Sequence, residues 1–334
     1  MSSCTSVNIL FTSVGRRVEL ILAFKKAYQQ LGISGKIVGT DINPLAPALR
    51  VVDKSYVVPP ISSEDEYLLA LIEICQREQI SLVFPLIDPD IPFLARHRRR
   101  LEDTSAKVVV VPERAAIITR DKWLTYQFLR ELKIPTPRTW LPSEIKNTSP
   151  EYPLFIKPRS GSAAKQTFKI NNARELYFFL DYVTDPIVQE YLPGPEITND
   201  VVCDFQGNVL AVVSRQRLEV RGGEVTKGKT VYDPRIIQYC LTIAKGLKAI
   251  GPITVQCILR EGEPYFTEIN ARFGGGVPLA FAAGVPIPKW FLSMAAGMPY
   301  EVPSLGTYKV GLYITRFDNS FFIEEEEICR SCKL

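Results

Sequence analysis

The chain has 334 residues, 46% of them hydrophobic and 23% charged, with a net charge of +4. That length is long for one core, so two or three structural units are expected. The small charge, with no block of Lys and Arg interleaved with aromatics, argues against a nucleic-acid partner. No apolar run approaches the ~18–20 residues that cross a bilayer, so no membrane is expected. Residues 1–6 lack the regions of a signal peptide. The seven scattered cysteines fit a reducing, cytoplasmic setting. His97 is the only histidine, which excludes a two-histidine metal site and leaves little scope for a Ser–His or Cys–His pair. Chemistry then falls to carboxylates, lysines, arginines and a metal.

Residues 7–112 alternate strand and helix patterns. Val7–Phe11, Lys36–Thr40, Leu82–Pro85 and Lys107–Val111 read as strands, and Val18–Leu31 and Glu64–Glu78 as amphipathic helices. This order predicts a doubly wound parallel sheet, with ligands beyond the carboxyl ends of its strands. Ser13, Gly15, Arg16, Asp41 and Asp88 fall at such ends. The first loop holds one glycine where a dinucleotide fingerprint needs three, so a nicotinamide or flavin is not expected. Arg98–Arg100 reads as a solvated helix end.

Residues 113–150 read as a helical connector. Asp121-Lys122 opens a helix from Trp123 to Leu132, stopped by Ile134-Pro-Thr-Pro137, and a loop follows. Residues 153–190 read as a small α+β unit: the strand Pro153–Lys157, the small-residue loop Arg159–Lys165, the strand Phe168–Ile170 and a helix from Asn172 to Leu180, with the strand Pro186–Leu192 leaving the unit. Strands at 197–204, 209–216, 253–259 and 264–270, with helices from Pro234 to Ala249 and onward to residue 296, predict an antiparallel-rich region. The residues after 316 read as a charged, unstructured tail, and its lone Cys329-Arg-Ser-Cys332 lacks the second ligand pair of a zinc site.

The segment from Gln256 to Arg272 is the most specific in the chain. It reads as two apolar strands joined by a tight turn at Glu261-Gly262. A hairpin centred on residue 262 sets Gln256 opposite Glu268, and Asn270 then points from the same face, with Arg272 next along it. One carboxylate and two amide oxygens are hard donors, suited to Mg²⁺ held together with substrate phosphates. The other parts of a nucleotide site follow in order. Lys122 and Lys157 are cations at element ends. Ser160-Gly161-Ser162 sits in a loop with little side-chain bulk, whose amides can approach phosphate. Gln189-Glu190-Tyr191-Leu192 is a strand whose backbone can pair with an adenine edge. Glu196, after a Pro-Gly-Pro turn, can accept from ribose hydroxyls.

Together, the Asp121-Lys122 helix start, Phe-Ile-Lys157-Pro, Gln189 to Glu196, and Gln256…Glu268-Ile-Asn270-Ala-Arg272-Phe-Gly-Gly resemble the ATP-grasp superfamily, nearest to its carbamoyl-phosphate-synthase-like members and carboxylate–amine ligases. The likeness spans roughly residues 7–300. It implies an N-terminal α/β domain (1–112), a connector and mobile lid (113–187) and a central antiparallel domain (188–316), followed by the tail (317–334). It implies ATP with Mg²⁺ or Mn²⁺. By this resemblance Lys122, Lys157, Ser160, Gly161 and Ser162 serve the phosphates, and Gln189, Glu190, Tyr191, Leu192 and Ile258 the adenine, with Glu196 at the ribose. Gln256, Glu268 and Asn270 hold the metal, and Arg272 with Lys157 acts on the transferring phosphoryl group. Arg16, Asp88, Arg215, Arg217 and Lys227 are looser candidates for an anionic substrate. The implied activity is an ADP-forming, C–N-bond-forming ligase acting on a small carboxylate and an amine, with a homodimer left open. Phosphorylation of bicarbonate or carbamate, and a non-catalytic nucleotide sensor, are the alternatives.

Overall fold

Ile9–Thr12 (β1) is a fully buried four-residue strand, as the inner strand of a parallel sheet must be. In the computed structural model, which describes residues 6–161, 166–330 and 332–333, it pairs in parallel with β2 (Ile37–Asp41) and with β4 (Leu82–Pro85). β3 (Lys54–Val57) and β5 (Lys107–Val108) extend the sheet on either side. The connecting helices are α1 (Val18–Leu31), α2 (Glu64–Arg77), α3 (Asp90–Arg96) and α4 (Arg98–Glu102). Asp41 closes the β1–α1 loop: its carboxylate accepts from Gly15 N at 2.8 Å and from Asn43 N at 2.9 Å. It is thus a strut of the loop. Arg98 is not simply solvated, since its guanidinium donates to the carbonyls of Val110 and Val111.

Two helices, α5 (Glu113–Arg120) and α6 (Lys122–Glu131), form the connector. Asp121 caps α6, accepting from Trp123 N and Leu124 N. The stretch read as loop contains a short strand β6 (Thr139–Trp140) and a turn of helix α7 (Pro142–Ile145). Pro142 is tolerated at the first helical position, where its missing N–H costs nothing. The lid sheet has the order β6-β9-β7-β8, with β7 Leu154–Pro158, β8 Phe168–Ile170 and β9 Pro186–Glu190. Helix α8 (Ala173–Tyr182), capped by Asn172, covers it through Leu176.

The central sheet comprises β10 (Glu196–Cys203), β11 (Val209–Arg221), β12 (Glu224–Val231), β13 (Gly251–Arg260) and β14 (Glu263–Asn270), with α9 (Pro234–Leu247) packed on one face. That face is apolar: Ile197, Val201, Ile253, Val255, Cys257, Phe266 and Ile269 are buried beside Ile236, Cys240 and Ile243 of α9. Helices α10 (Pro278–Ala282) and α11 (Ile287–Ala296) follow, broken at Gly284, whose φ of +101° suits only glycine. β15 (Tyr313–Thr315) pairs with β12 at the sheet edge. The chain end is not the unstructured tail that the sequence suggested. It forms α12 (Glu325–Arg330), and β16 (Cys332–Lys333) pairs in parallel with β3. Among the described residues no helix is long and apolar enough to cross a membrane.

One aromatic cluster joins the first and last units. Phe273, just beyond β14, lies 5.7 Å from Phe84 and 6.2 Å from Phe24 by ring centroids, and Phe291 of α11 lies 5.1 Å from Phe84. The end of β14 is thereby pinned against the carboxyl end of β4. Rings at these separations add about 0.5–1.5 kcal/mol per pair beyond their buried area.

Candidate active site

The polar face of the central sheet, opposite α9, is read off its register. Gln256 pairs with Glu268 and Thr254 with Asn270. On the other side Ile258 pairs with Glu196 and Gln256 with Thr198, and Thr198 in turn pairs with Arg215. Directly paired residues project to the same face, so Glu268, Asn270, Gln256, Ile258, Glu196 and Arg215 share one wall. The lid stands across from it. Between them lies a cleft of about 830 Å³ bounded by Lys122, Lys157, Ser160, Gly161, Gln189, Glu190, Tyr191, Leu192, Glu196, Ile258, Gln256, Glu268, Asn270 and Arg272. Every candidate nucleotide or metal residue among the described residues therefore meets in one cavity. Ser162 lies outside the described residues.

Lys157 closes the apolar strand β7 and is only 7% exposed. Burial pushes its ammonium down to about 8, against the opposing pull of Glu268; Lys122 lowers it further and Glu196 raises it. Lys122 donates from Nζ to Gly161 O at 2.8 Å, so it already touches the loop. The loop's root is strapped to α6 at Asp121: Arg159 Nε lies 2.9 and 2.8 Å from its two carboxylate oxygens, and Lys122 N donates to Arg159 O at 2.9 Å. Gln189 is buried and donates to Thr139 Oγ1 at 2.8 Å, and Glu190 is held by Arg260. The ladder to β7 ends at Glu190, so Tyr191 and Leu192 leave the sheet along the cleft wall. Glu196 is engaged by Arg217.

A second cavity of about 220 Å³ opens beside the first and shares Gln256, Asn270, Arg217 and Arg272 with it. Its walls add Arg17, Asp88, Arg215 and Glu224, with Gly274, Gly275 and Gly276. Arg215 is buried and paired with Asp200, Nη2 to Oδ1 at 2.9 Å. The glycines make room for these cations. A Cβ on Gly276 would fall 2.2 Å from Arg215 Nη1, and one on Gly275 2.6 Å from Arg17 Nη1. Arg17 is paired with Glu224 at 3.2 Å, and burial lowers its guanidinium to about 10.

Of the looser substrate candidates, Arg215 and Arg217 reach this second cavity; Arg16 and Lys227 do not. Arg16 is exposed, and its neighbour Arg17 is the residue that turns inward. Lys227 pairs with Glu219 at 2.8 Å on the exposed side of the β11–β12 hairpin. Asp88 lines the cavity but is already taken up by Arg272: Nη2 donates to Oδ2 at 2.9 Å and Nε lies 2.8 Å from Oδ1. Arg260 and the part played by Gly276 were not apparent from sequence. Three consecutive glycines directly after Arg272-Phe273 were the available signal, since close backbone approach is a reason to place glycine.

The comparisons agree with this architecture. The model described as a PylC-like N-terminal domain matches residues 9–109, and that of the ATP-grasp domain matches residues 119–276. The carbamoyl phosphate synthase large chain of Caldanaerobacter subterraneus subsp. tengcongensis is 23% identical over 308 residues, 86% of this chain but 28% of that protein. The D-alanine–D-alanine ligase of Fusobacterium nucleatum is 27% identical over 222 residues, 60% of this chain and 75% of that one. Among solved structures, the biotin carboxylase of Campylobacter jejuni, a β-γ-ATP complex, superposes with a TM-score of 0.71 at 18% identity, over 92% of this chain and 74% of that one. The chain thus spans about a quarter of the length of the carbamoyl phosphate synthase large chains that it matches. It carries an ATP-grasp domain behind a PylC-like N-terminal domain.

Proposed function

We propose that this chain is an ATP-dependent ligase that activates a small carboxylate as an acyl phosphate and passes it to an amine. The observation that carries the reading is the convergence of Gln256, Glu268 and Asn270 on one sheet face, within the cleft that also holds Lys122, Lys157 and Arg272. Among the described residues no three His, Cys, Asp or Glu side chains cluster as a self-sufficient metal site. One carboxylate with two amide oxygens instead fits a hard cation that arrives with phosphate ligands, as Mg²⁺ does. Bound there, Mg²⁺ would neutralise charge on the phosphates of ATP.

The chain's own groups supply the rest. Lys157 and Lys122 set positive charge along the phosphates, Lys157 in a site where burial makes each charge count for more. Tyr191 and Leu192 offer backbone at the base, and Glu196 offers oxygens to the ribose once released from Arg217. In the first step a substrate carboxylate oxygen bonds to the γ-phosphorus, the β–γ bridging P–O bond breaks, and ADP leaves. In the second the amine bonds to the acyl carbon, the C–O bond to phosphate breaks, and phosphate leaves as the amine loses a proton. The second cavity, lined by Arg17, Arg215, Arg217 and Arg272, adjoins the metal wall and suits the anionic acid. The acid and amine are small molecules in this reading.

The test is a panel of acids and amines scored for ADP and phosphate release, with hydroxylamine added to trap an acyl phosphate as a hydroxamate. Acid-dependent ADP release with a trapped hydroxamate is expected. Mg²⁺-dependent nucleotide binding without turnover across a wide panel would replace the ligase by a nucleotide sensor.

A further inference from the structure

Glu268 of β14 and Arg272, two residues beyond the end of that strand, border the same cleft, and they carry opposite charge. Three other carboxylates in or beside this cleft are matched: Glu190 with Arg260, Glu196 with Arg217, Glu224 with Arg17 and Arg316. Glu268 has no ion pair among the described residues. Arg272 is engaged instead by a residue near the carboxyl end of β4. Asp88, in the turn between β4 and α3, engages Arg272 by a two-pronged contact, with side chains 22% and 13% exposed. Both ends of this contact are anchored. Two residues beyond Asp88, Asp90 is buried and accepts from Thr12 Oγ1 at 2.6 Å, fixing the turn. Next to Arg272, Phe273 is locked into the aromatic cluster, and its carbonyl accepts from Arg272 Nη1 at 3.1 Å.

We propose that Asp88 is a positioning residue: it takes up the charge of Arg272 and so leaves Glu268 free to hold the metal of the nucleotide. Glu268 borders the same cleft without an ion pair, so a guanidinium released from Asp88 can turn to it, and pairing there would set the arginine in competition with the cation. With Asp88 in place, each terminal nitrogen of Arg272 makes one hydrogen bond, to Phe273 O and to Asp88 Oδ2, and keeps a second N–H, so the arginine is oriented without being spent. The inference rests on the nucleotide reading above, and it assigns Asp88 to the metal wall; a substrate-binding role would leave the metal requirement unaffected.

The experiment measures ADP binding to the full chain by calorimetry as Mg²⁺ is varied, so no turnover is needed. Asp88→Asn is expected to raise the Mg²⁺ concentration for half-maximal ADP binding about tenfold, the usual scale when a partner that orients a metal site is lost. Adding Arg272→Ala removes the competitor, so the double variant should return to the Mg²⁺ dependence of Arg272→Ala alone. Arg272→Lys is a second route should Asp88→Asn fold poorly. It keeps a cation but cannot form the two-pronged pair, and a rise in the same direction is expected. An unchanged Mg²⁺ dependence in these variants, or a rise that persists in the double variant, overturns the assignment of Asp88 while leaving the nucleotide reading intact. Wild-type protein that binds no ADP with Mg²⁺ overturns both.

Discussion

Glu268 stands opposite Gln256 because β14 carries one extra residue between them and the turn. Near the turn the ladder runs Arg260 to Glu263, Ile258 to Tyr265 and Cys257 to Phe266, and then it shifts. Continued without the shift, the register would set Thr267 opposite Gln256 and turn Glu268 toward the apolar face under α9. The bulge leaves Thr267 and Glu268 both bordering the cleft, and Asn270 two residues on. A local irregularity of the ladder therefore brings Gln256, Glu268 and Asn270 onto one wall of the cleft.

Removing that carboxylate should remove catalysis and spare the fold. Glu268→Gln keeps the shape of the side chain, and Glu268 is half-buried with no ion pair among the described residues, so the fold loses little beyond the pull of Glu268 on the buried Lys157. Turnover of ATP should fall by about 10²–10³-fold, the scale for deleting one preorganised electrostatic group. The melting temperature should stay near that of the wild type. Near-normal turnover in the folded variant would show that the metal is held elsewhere.

Much of this was legible in the sequence, for reasons that differ from place to place. The α1 boundaries follow from periodicity alone, and α6 and α8 announce themselves by the caps Asp121 and Asn172. The Gln256–Glu268 pair was reached from a symmetric hairpin about residue 262. In the structure the turn is Glu261-Gly262, both at positive φ, and the bulge supplies the missing residue. The pair was right and the registry of residues 257–260 was off by one, because no side-chain pattern marks a bulge. β12 was missed since Thr226, Lys227, Lys229 and Thr230 interrupt its apolar pattern, and only Gly228, whose Cβ would fall 2.9 Å from Gln216 O, hints at the close neighbour strand. Arg16 was chosen over Arg17 because charge type cannot tell which of two adjacent arginines turns inward.

The glycine run should tolerate no side chain at its last position. An added methyl at Gly276 falls on Arg215 Nη1 and, at 2.8 Å, on its Cζ. Arg215 has little freedom to give way, being buried and paired with Asp200. Gly276→Ala should cost about 1–3 kcal/mol, in the range for overpacking. Denaturant unfolding measures it. A change below about 0.5 kcal/mol, the scale of neutral surface substitutions, would mean that the arginine relocates freely.

The strap at the lid's root should matter to nucleotide affinity more than to stability. Arg159 joins the end of β7 to Asp121, which caps α6 and precedes Lys122. Its side chain is partly exposed, so the ion pair adds little to folding, about 0–1 kcal/mol. In the proposed nucleotide site, its larger effect is to hold together the two elements that carry Lys157 and Lys122. Arg159→Ala should weaken ADP binding about tenfold, comparable to losing a partner that orients ligands. Unfolding should shift by less than about 1 kcal/mol. A stability loss without any loss of affinity would make the strap purely structural.

Lys157 gives the clearest pH signature. Burial lowers its folded-state value to about 8 from 10.5. A lysine with a lowered folded value binds fewer protons in the native state than in the unfolded chain between those two limits. Stability from this group therefore rises with pH from about 8 toward 10.5, and the cost of its buried charge is fully present below about 8. Nucleotide binding works the other way. Phosphates favour the charged ammonium, so binding above about pH 8 must take up a proton, and affinity should fall as pH climbs through that value. Calorimetry of ADP with Mg²⁺ at pH 8.5–9, in buffers of different ionisation enthalpy, reads the uptake directly. Lys157→Arg, whose charge persists across this range, should abolish both the proton uptake and the decline in affinity. Equal heats in all buffers for the wild type would place the phosphates away from Lys157 and move the nucleotide's charge to Lys122.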